Sequence, residues 1–149
     1  MFDIESKNPD EITINTKKVT INFNIAESVI NAGLEVGKIT GPGEFEIGEA
    51  TIRGISVKDG KTIYDAEIGG VHVGIVGGIE DGLDDLGVAD ILCTSSVRAV
   101  REIEPKVVVS MGNVDGMVAE LKLTARVDKK LKVKSLDSLV ATKEVVVLN

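Results

Sequence analysis

Short runs in which apolar and polar residues alternate dominate the first half of the chain. Residues 11–15 (EITIN) and 18–23 (KVTINF) alternate strictly, and this period indicates strands with one buried face. Two dipeptides typical of hairpin turns, Asp-Gly at 59–60 and Gly-Gly at 69–70, separate further runs of the same kind. The first half of the sequence therefore predicts a meander of antiparallel strands.

After Gly77 the pattern changes to strands that alternate with helices. Residues 89–94 and 106–111 are apolar runs, and the second is continuous enough to be buried on both faces of a sheet. Residues 96–103 and 114–123 have the apolar spacing of helices. A meander followed by strand–helix–strand units predicts an α/β (α+β) sandwich whose helices pack outside the sheets.

Shorter elements complete the prediction. We expect a helix over residues 26–32, an acidic helix or turn over 80–86, and closing strands at 131–134 and 144–148. The sequence contains no internal repeat and no linker rich in proline or serine. It therefore predicts a single domain that spans residues 1–149.

The composition argues against nucleic acid and membrane partners. A net charge of −7, no Trp and one Tyr leave few cations for phosphates and few rings for base stacking. Four lysines between residues 129 and 134 are expected to form a solvated basic edge. No apolar run reaches the roughly 18 residues of a membrane-spanning helix. The first residues lack the pattern of a signal peptide, so we expect a cytoplasmic protein.

The chain has one histidine, His72, and one cysteine, Cys93. A catalytic zinc site usually takes two or three imidazoles beside a carboxylate, and one chain of this protein cannot supply two. A single cysteine also excludes an internal disulfide and a cysteine-rich zinc site. The counts therefore disfavour zinc hydrolysis by a monomer.

Three pairs of segments resemble one family in their order and spacing. They are residues 41–48 (GPGEFEIG) with 52–55 (IRGI), 89–92 (ADIL) with 104–111 (EPKVVVSM), and 131–136 (LKVKSL) with 145–148 (VVVL). Each pair is similar to segments of small bacterial and archaeal proteins of the metallo-β-lactamase fold. The resemblance implies a shortened metallo-β-lactamase-like β-sandwich with outer helices, closed by a hairpin of the last two segments. It also implies zinc-dependent hydrolysis as the chemistry of the family.

The positions at which the family carries metal ligands hold other residues here. Residues 24–38 replace the family's HxHxDH loop and contain neither His nor Asp. Ile75 and Gly78 stand where the family has a His and the metal-bridging Asp, and Gly112 stands at its last His. Residues 56–59 lack the family's intermediate His as well. The resemblance therefore implies the fold without the zinc site, and we expect no metal and no cofactor.

Five residues are candidates for a vestigial site in the cleft where the family binds its metal: Gly78, Cys93, Gly112, His72 and Asp81. We expect His72 to be an exposed or edge-packed imidazole rather than a ligand. Cys93 is expected to be a buried, unreactive thiol, with a nucleophile at the start of the next helix as the alternative. Asp81 belongs to an acidic cluster that we expect to be solvated rather than to hold a cation.

The sequence predicts a catalytically degenerate protein that binds a ligand or assembles with itself, and a homo-oligomer is the expected partner. Two alternatives remain open. One is a metal-dependent hydrolase whose site a partner subunit completes, and the other is an enzyme based on Cys93. The ligand itself is not predicted.

Overall fold

The computed structural model describes residues 1–33 and 37–149, in which fourteen strands form two sheets. In spatial order, the first sheet is β13 (Leu131–Val133), β1 (Phe2–Glu5), β2 (Glu11–Thr16), β3 (Thr20–Asn24), β4 (Val29–Asn31) and β5 (Lys38–Thr40). All its neighbouring strands are antiparallel.

The second sheet has eight strands and changes direction in the middle. In spatial order it is β12 (Thr124–Asp128), β14 (Glu144–Leu148), β11 (Val107–Ser110), β10 (Ile91–Thr94), β9 (Val71–Gly77), β8 (Thr62–Ile68), β7 (Ala50–Ser56) and β6 (Gly43–Ile47). Strands β6 to β9 form the antiparallel meander that the alternating pattern predicts. From β9 through β10, β11 and β14 to β12, each strand is parallel to the next.

The described residues contain three α-helices, α1 (Leu83–Leu86), α2 (Val97–Ile103) and α3 (Val114–Leu121), and two 3-10 turns at Lys58–Gly60 and Leu136–Ser138. Helix α2 begins after Ser96, whose hydroxyl accepts a hydrogen bond from the Ala99 amide at 3.0 Å. This contact satisfies one of the free amides at the start of the helix. Both α2 and α3 lie at the positions that their apolar spacing predicts.

The core has two layers. Between the sheets, alternating residues such as Ile12, Ile14 and Phe23 pack with Tyr64 and Ile75 of the second sheet. A smaller cluster of Val108, Met117 and Val145 joins α3 to the other face of the second sheet. The arrangement confirms the predicted α/β (α+β) sandwich with helices outside the sheets.

Two predictions about local structure are wrong. Residues 26–32 do not form a helix, because Val29–Asn31 is strand β4, in which Ile30 pairs with Phe23 of β3. The buried β-branched residues Val29 and Ile30 gain more from the sheet and its core than from helical spacing.

The last two strands do not form a closing hairpin with each other. Strand β13 pairs with β1 at the edge of the first sheet, whereas β14 lies between β11 and β12 in the second. Strands β1, β5 and β12 have no counterpart in the sequence prediction. No helix in the described part of the chain is long and apolar enough to cross a membrane.

Candidate functional site

The carboxyl ends of β9, β10 and β11 meet at one edge of the second sheet because these strands are parallel neighbours. We call the loops that follow them, residues 77–82, 94–96 and 110–113, the carboxyl edge. Thr94 pairs with Gly77 on one side and with Ser110 on the other, so the three loops begin side by side. Open parallel sheets commonly bind ligands at this end.

Gly78 and Gly112, which the resemblance matches to metal ligands of the family, both lie on the carboxyl edge. A Cβ atom on Gly78 would lie 3.1 Å from Ser95 Oγ. Next to Gly112, Asn113 Nδ2 donates a hydrogen bond to the Ser95 carbonyl oxygen at 3.0 Å. The fold therefore brings together two positions that are 34 residues apart in the sequence.

Hydroxyl groups at the carboxyl edge bond mainly to the protein backbone. Thr94 Oγ1 donates to the Gly77 carbonyl at 2.7 Å and accepts from the Ser96 amide at 2.9 Å. Ser110 Oγ donates to the Gly112 carbonyl at 2.9 Å and accepts from the Gly112 amide at 3.1 Å. These contacts hold the loops in place and engage both hydroxyl oxygen atoms with the backbone.

Glu80 supplies a carboxylate at this edge, and it contacts Ser96. Ser96 Oγ donates to Glu80 Oε2 at 2.5 Å while it caps α2 through the Ala99 amide. A carboxylate near the first turn of a helix is favoured by the free amides there. The contact with Ser96 and the start of α2 therefore explains the position of Glu80 without a ligand.

An apolar side chain covers the carboxyl edge from the first sheet. A Cβ atom on Gly77 would lie 2.9 Å from Ile25 Cγ2, so Ile25 packs directly on the end of β9. Ile25 is buried and belongs to the segment that replaces the family's histidine-rich loop. The remainder of that segment includes residues 34–36, which lie outside the described residues.

His72 does not reach the carboxyl edge. It lies near the start of β9, five residues before Gly77, which is roughly 16 Å along an extended strand. Its Nδ1 atom is 3.1 Å from Asp65 Oδ1, and its Nε2 atom is 3.7 Å from Glu67 Oε2. The imidazole is 32% exposed and lies on an interior strand of the sheet, so it is neither fully exposed nor at a sheet edge as expected.

Asp65 is the centre of the polar cluster around His72. Arg53 Nη2 lies 3.6 Å from Asp65 Oδ2 and donates to the Leu86 carbonyl at 2.9 Å. Burial raises the pKa of the Asp65 carboxyl, and the hydrogen bond to His72 and the charge of Arg53 only partly offset this effect. The cluster borders a shallow pocket of about 250 Å³ on the outer face of β7, β8 and β9. Through the hydrogen bond from Arg53 to Leu86, the cluster also joins α1 to the sheet.

Cys93 lies inside the sandwich rather than on the carboxyl edge. Its neighbours in the sheet are Ile75 and Val109, and its side chain is fully buried. Burial raises the pKa of the thiol well above its ordinary value, because the thiolate would lose its hydration. A thiol in this environment is a poor nucleophile.

Asp81 links the acidic loop to the hairpin between β7 and β8. Its Oδ2 atom accepts a hydrogen bond from the Lys58 amide at 2.9 Å. Asp81 also borders an open pocket of about 370 Å³, together with Glu80, Asp84, Asp85 and Arg98. The pocket is lined mostly by carboxylates, so it disfavours an anionic ligand.

The donor groups of the carboxyl edge do not fit a zinc ion. Within residues 1–33 and 37–149, no three side chains of His, Cys, Asp or Glu come together as a metal-binding group. At the edge itself, Glu80 already bonds to Ser96, and Gly78 and Gly112 offer no side chain. Zinc sites in proteins take imidazole, thiolate and carboxylate ligands, usually with at least three from the protein.

Comparison with known proteins identifies the fold. No family model matches the chain, and no curated protein matches it. One solved structure that matches is a Thermotoga maritima protein assigned to the Zn-dependent hydrolases of the metallo-β-lactamase superfamily. The match has a TM-score of 0.72 and 18% sequence identity, and it covers 99% of this chain and 98% of the other. The chain has the metallo-β-lactamase fold.

This metallo-β-lactamase fold confirms the resemblance that the three pairs of segments carry, at the level of architecture. The chain matches its neighbour over nearly the whole length of both proteins. At 18% sequence identity the likeness shows a shared backbone fold, and it does not extend to the chemistry of this chain.

Two contacts of the site were missed by sequence reasoning. The Ser96–Glu80 hydrogen bond joins residues 16 positions apart, and the Asp65–His72 contact crosses the hairpin between β8 and β9. The second could have been found from the Gly69-Gly70 turn, since it fixes Glu67 opposite His72 and so places Asp65 on the same face. The first depends on loop geometry, for which the sequence carries no periodic signal.

Proposed function

We propose that this chain is a non-catalytic protein of the metallo-β-lactamase fold, which acts by binding a ligand or by self-assembly and holds no metal or cofactor. The observation that carries the proposal is the pair Gly78 and Gly112, which both lie on the carboxyl edge. These positions correspond to metal ligands in the family that the sequence resembles, and here they have no donor side chain. The proposal includes no nucleic acid and no membrane as partner.

The chemistry of zinc hydrolases supports this reading of the two glycines. In those enzymes the metal lowers the pKa of a bound water to about 7 and polarises the scissile group. Several charged or imidazole ligands must converge to hold such a metal. The hydroxyls of Thr94 and Ser110 are already engaged with backbone atoms, and the chain's one imidazole lies on the far part of β9.

Metal content of the purified, untagged chain tests the proposal. Elemental analysis after gentle purification and after incubation with Zn²⁺, Mn²⁺ or Fe²⁺ should give fewer than about 0.1 tightly bound ions per chain. His72→Ala and Glu80→Gln serve as matched variants and should give the same value. One tightly bound equivalent in the wild type would overturn the proposal, and its loss in either variant would identify that residue as a ligand.

The alternative in which a partner subunit completes a metal site predicts a different result. Added metal would then raise the thermal stability of the assembled protein and restore turnover of ester, lactone or phosphodiester substrates. Absence of both effects at every protein concentration tested would exclude it. The Cys93 alternative finds no support in the position of that residue, because a fully buried thiol cannot reach a substrate without opening of the sandwich.

Self-assembly is supported by strand β12 at the edge of the second sheet. All five of its residues are exposed, and it pairs with β14 on one side only. A free strand edge presents unpaired amide and carbonyl groups to a second copy. Light scattering coupled to gel filtration should therefore detect a dimer, and Val127→Lys should shift it to the monomer. A monomer at high concentration in the wild type would refute this part of the proposal.

A further inference from the structure

A groove opens beside β12, at the side of the second sheet away from β9. It has a volume of about 660 Å³ and is bordered by the first residue of β11, by β12 and β14, and by β13 of the other sheet. We call it the basic groove. Its size falls within the range of small-molecule sites, roughly 300–1,000 Å³.

The floor of the basic groove is apolar. Val107, Leu131 and Val146 line it, and all three are buried residues. Leu139 and Val140 form one wall, and Val140 is 68% exposed, which is unusual for a large aliphatic side chain beside a concave surface. An occupant with an apolar body would cover these side chains and remove them from water.

The rim of the groove is basic, in contrast to the chain as a whole. Four cations, Arg126, Lys129, Lys130 and Lys132, face two carboxylates. Those carboxylates belong to Asp128 and Glu144, so the lining carries a formal charge of +2 in a chain whose net charge is −7. The groove therefore attracts an anion that most of the protein surface would repel.

Two of the rim cations have carboxylate partners and two do not. Arg126 Nε lies 3.7 Å from Glu144 Oε2, and Lys130 Nζ lies 3.9 Å from Glu5 Oε1. Among the described residues, Lys129 and Lys132 have no carboxylate oxygen within 4.0 Å of the ammonium group. These two ammonium groups are therefore available to pair with an anionic head group.

We propose that the basic groove binds a linear anionic amphiphile, with its carboxylate or sulfonate head at Lys129 and Lys132 and its alkyl chain along Val107, Leu131 and Val146. The apolar floor supplies the affinity and the two lysines supply the preference for an anion. The site lies away from Gly78 and Gly112, so it does not depend on whether the carboxyl edge holds a metal.

Calorimetric titration of the full chain with decanoate, kept below its micelle concentration, tests the proposal. Decanoate should bind with one site per chain, at least about tenfold more tightly than uncharged decanol and roughly several hundredfold more tightly than short-chain butyrate. Each methylene group added between hexanoate and decanoate should tighten binding about threefold. Equal affinity for decanoate and butyrate would overturn the proposal, since the apolar floor would then contribute nothing.

The double substitution Lys129→Gln with Lys132→Gln tests the anion contact. It should weaken decanoate binding about fivefold and leave the thermal unfolding temperature unchanged, because both side chains are exposed. Lys17→Gln with Lys18→Gln is the matched control: it removes the same charge from two exposed lysines at the β2–β3 turn and should leave the affinity unchanged. Equal weakening by both pairs would overturn the proposal, because it would indicate a general charge effect.

Two further outcomes distinguish other occupants of the groove. Vesicles that contain anionic phospholipid should not sediment the chain, and sedimentation with vesicles but no binding of decanoate would overturn the proposal in favour of a membrane surface. Sedimentation velocity, run with and without decanoate, should show that the chain binds decanoate without any change in its oligomeric state. A dimer that covers the groove, and that the Lys129→Gln and Lys132→Gln pair disrupts without any decanoate binding, would also overturn it.

Discussion

Replacing Tyr64 by phenylalanine tests how the core between the sheets accommodates its largest fully buried side chain. Tyr64 lies on the inner face of β8, with its ring centroid 5.5 Å from that of Phe23 at a tilted angle of 55°. Within the described residues, its hydroxyl oxygen has no hydrogen-bond partner. A buried hydroxyl without a partner costs about 1–3 kcal/mol relative to its hydrated state in the unfolded chain.

The substitution Tyr64→Phe keeps the ring contact with Phe23 and removes the hydroxyl. We therefore expect the free energy of unfolding to rise by about 1–2 kcal/mol at neutral pH. For a chain of this length, such a gain corresponds to an increase of about 3–6 °C in the unfolding temperature. Urea unfolding followed by far-ultraviolet circular dichroism measures the change. Tyr64→Leu, which also removes the ring, should instead lower stability by about 1–3 kcal/mol.

The same residue gives the stability of the protein a defined dependence on alkaline pH. Burial raises the pKa of the Tyr64 phenol from 10.0 to about 12. Because the folded state holds this proton more tightly than the unfolded state, the contribution is fully present below pH 10 and is lost as the pH rises through 12. This rise in the phenol pKa corresponds to about 3 kcal/mol, and the Tyr64→Phe variant should not show this loss.

Tyr64 is the only tyrosine, and the chain has no tryptophan, so the absorbance of tyrosinate reports this residue alone. Its titration midpoint should be near 12 in the folded protein and near 10 in denaturant. A midpoint near 10 in the folded protein would refute the reasoning, since the phenol would then be in contact with water. A decrease in stability of about 1 kcal/mol or more for Tyr64→Phe would refute it as well, by revealing a favourable hydrogen bond.

Three further predictions concern other positions. Because Cys93 is fully buried with a raised thiol pKa, dithionitrobenzoate should modify the native chain only as fast as it unfolds, and rapid stoichiometric reaction at neutral pH would contradict this. Ser96→Ala removes the cap of α2 and should cost about 1–2 kcal/mol in urea unfolding, whereas Ser96→Thr should recover most of the loss. Gly82→Ala should cost about 2–3 kcal/mol, because φ is +77° and a Cβ atom would lie 2.6 Å from Val57 Cγ1. Gly60→Ala is its control, with φ at +69° and open space around the Cβ position, and it should cost only about 1 kcal/mol; equal costs would show that the clash is absent.

Several elements followed directly from sequence pattern because their determinants are local. The hairpin turns at 59–60 and 69–70 join the strands that the alternation indicates, and the apolar spacing of 96–103 becomes α2. The buried parallel strand β11 follows from the continuous apolar run at 106–111. In each of these cases the period of the side chains and the turn residues favour the same conformation. The tertiary contacts therefore agree with the local preference.

Other elements depended on partners that are distant in the sequence. Residues 29–31 become a strand because β3 and β5 offer hydrogen bonds on both sides and the core receives Val29 and Ile30. Strand β12 has no buried residue and forms only because β14 lies beside it. No local pattern records such a partner, which is why both strands were missed.

By itself the sequence determined the sandwich architecture, the single histidine and cysteine, and the absence of donor side chains at Gly78 and Gly112. These are properties of residue type and period, which do not depend on how the chain is arranged in space. Only the tertiary structure decided that Gly78 lies beside Ser95 and that Asn113, next to Gly112, donates a hydrogen bond to Ser95. It also decided that Cys93 faces the core, and that lysines 129 and 132 face a groove with an apolar floor. The physical reason is that burial and proximity are set by the packing of one sheet against the other, which no single segment encodes.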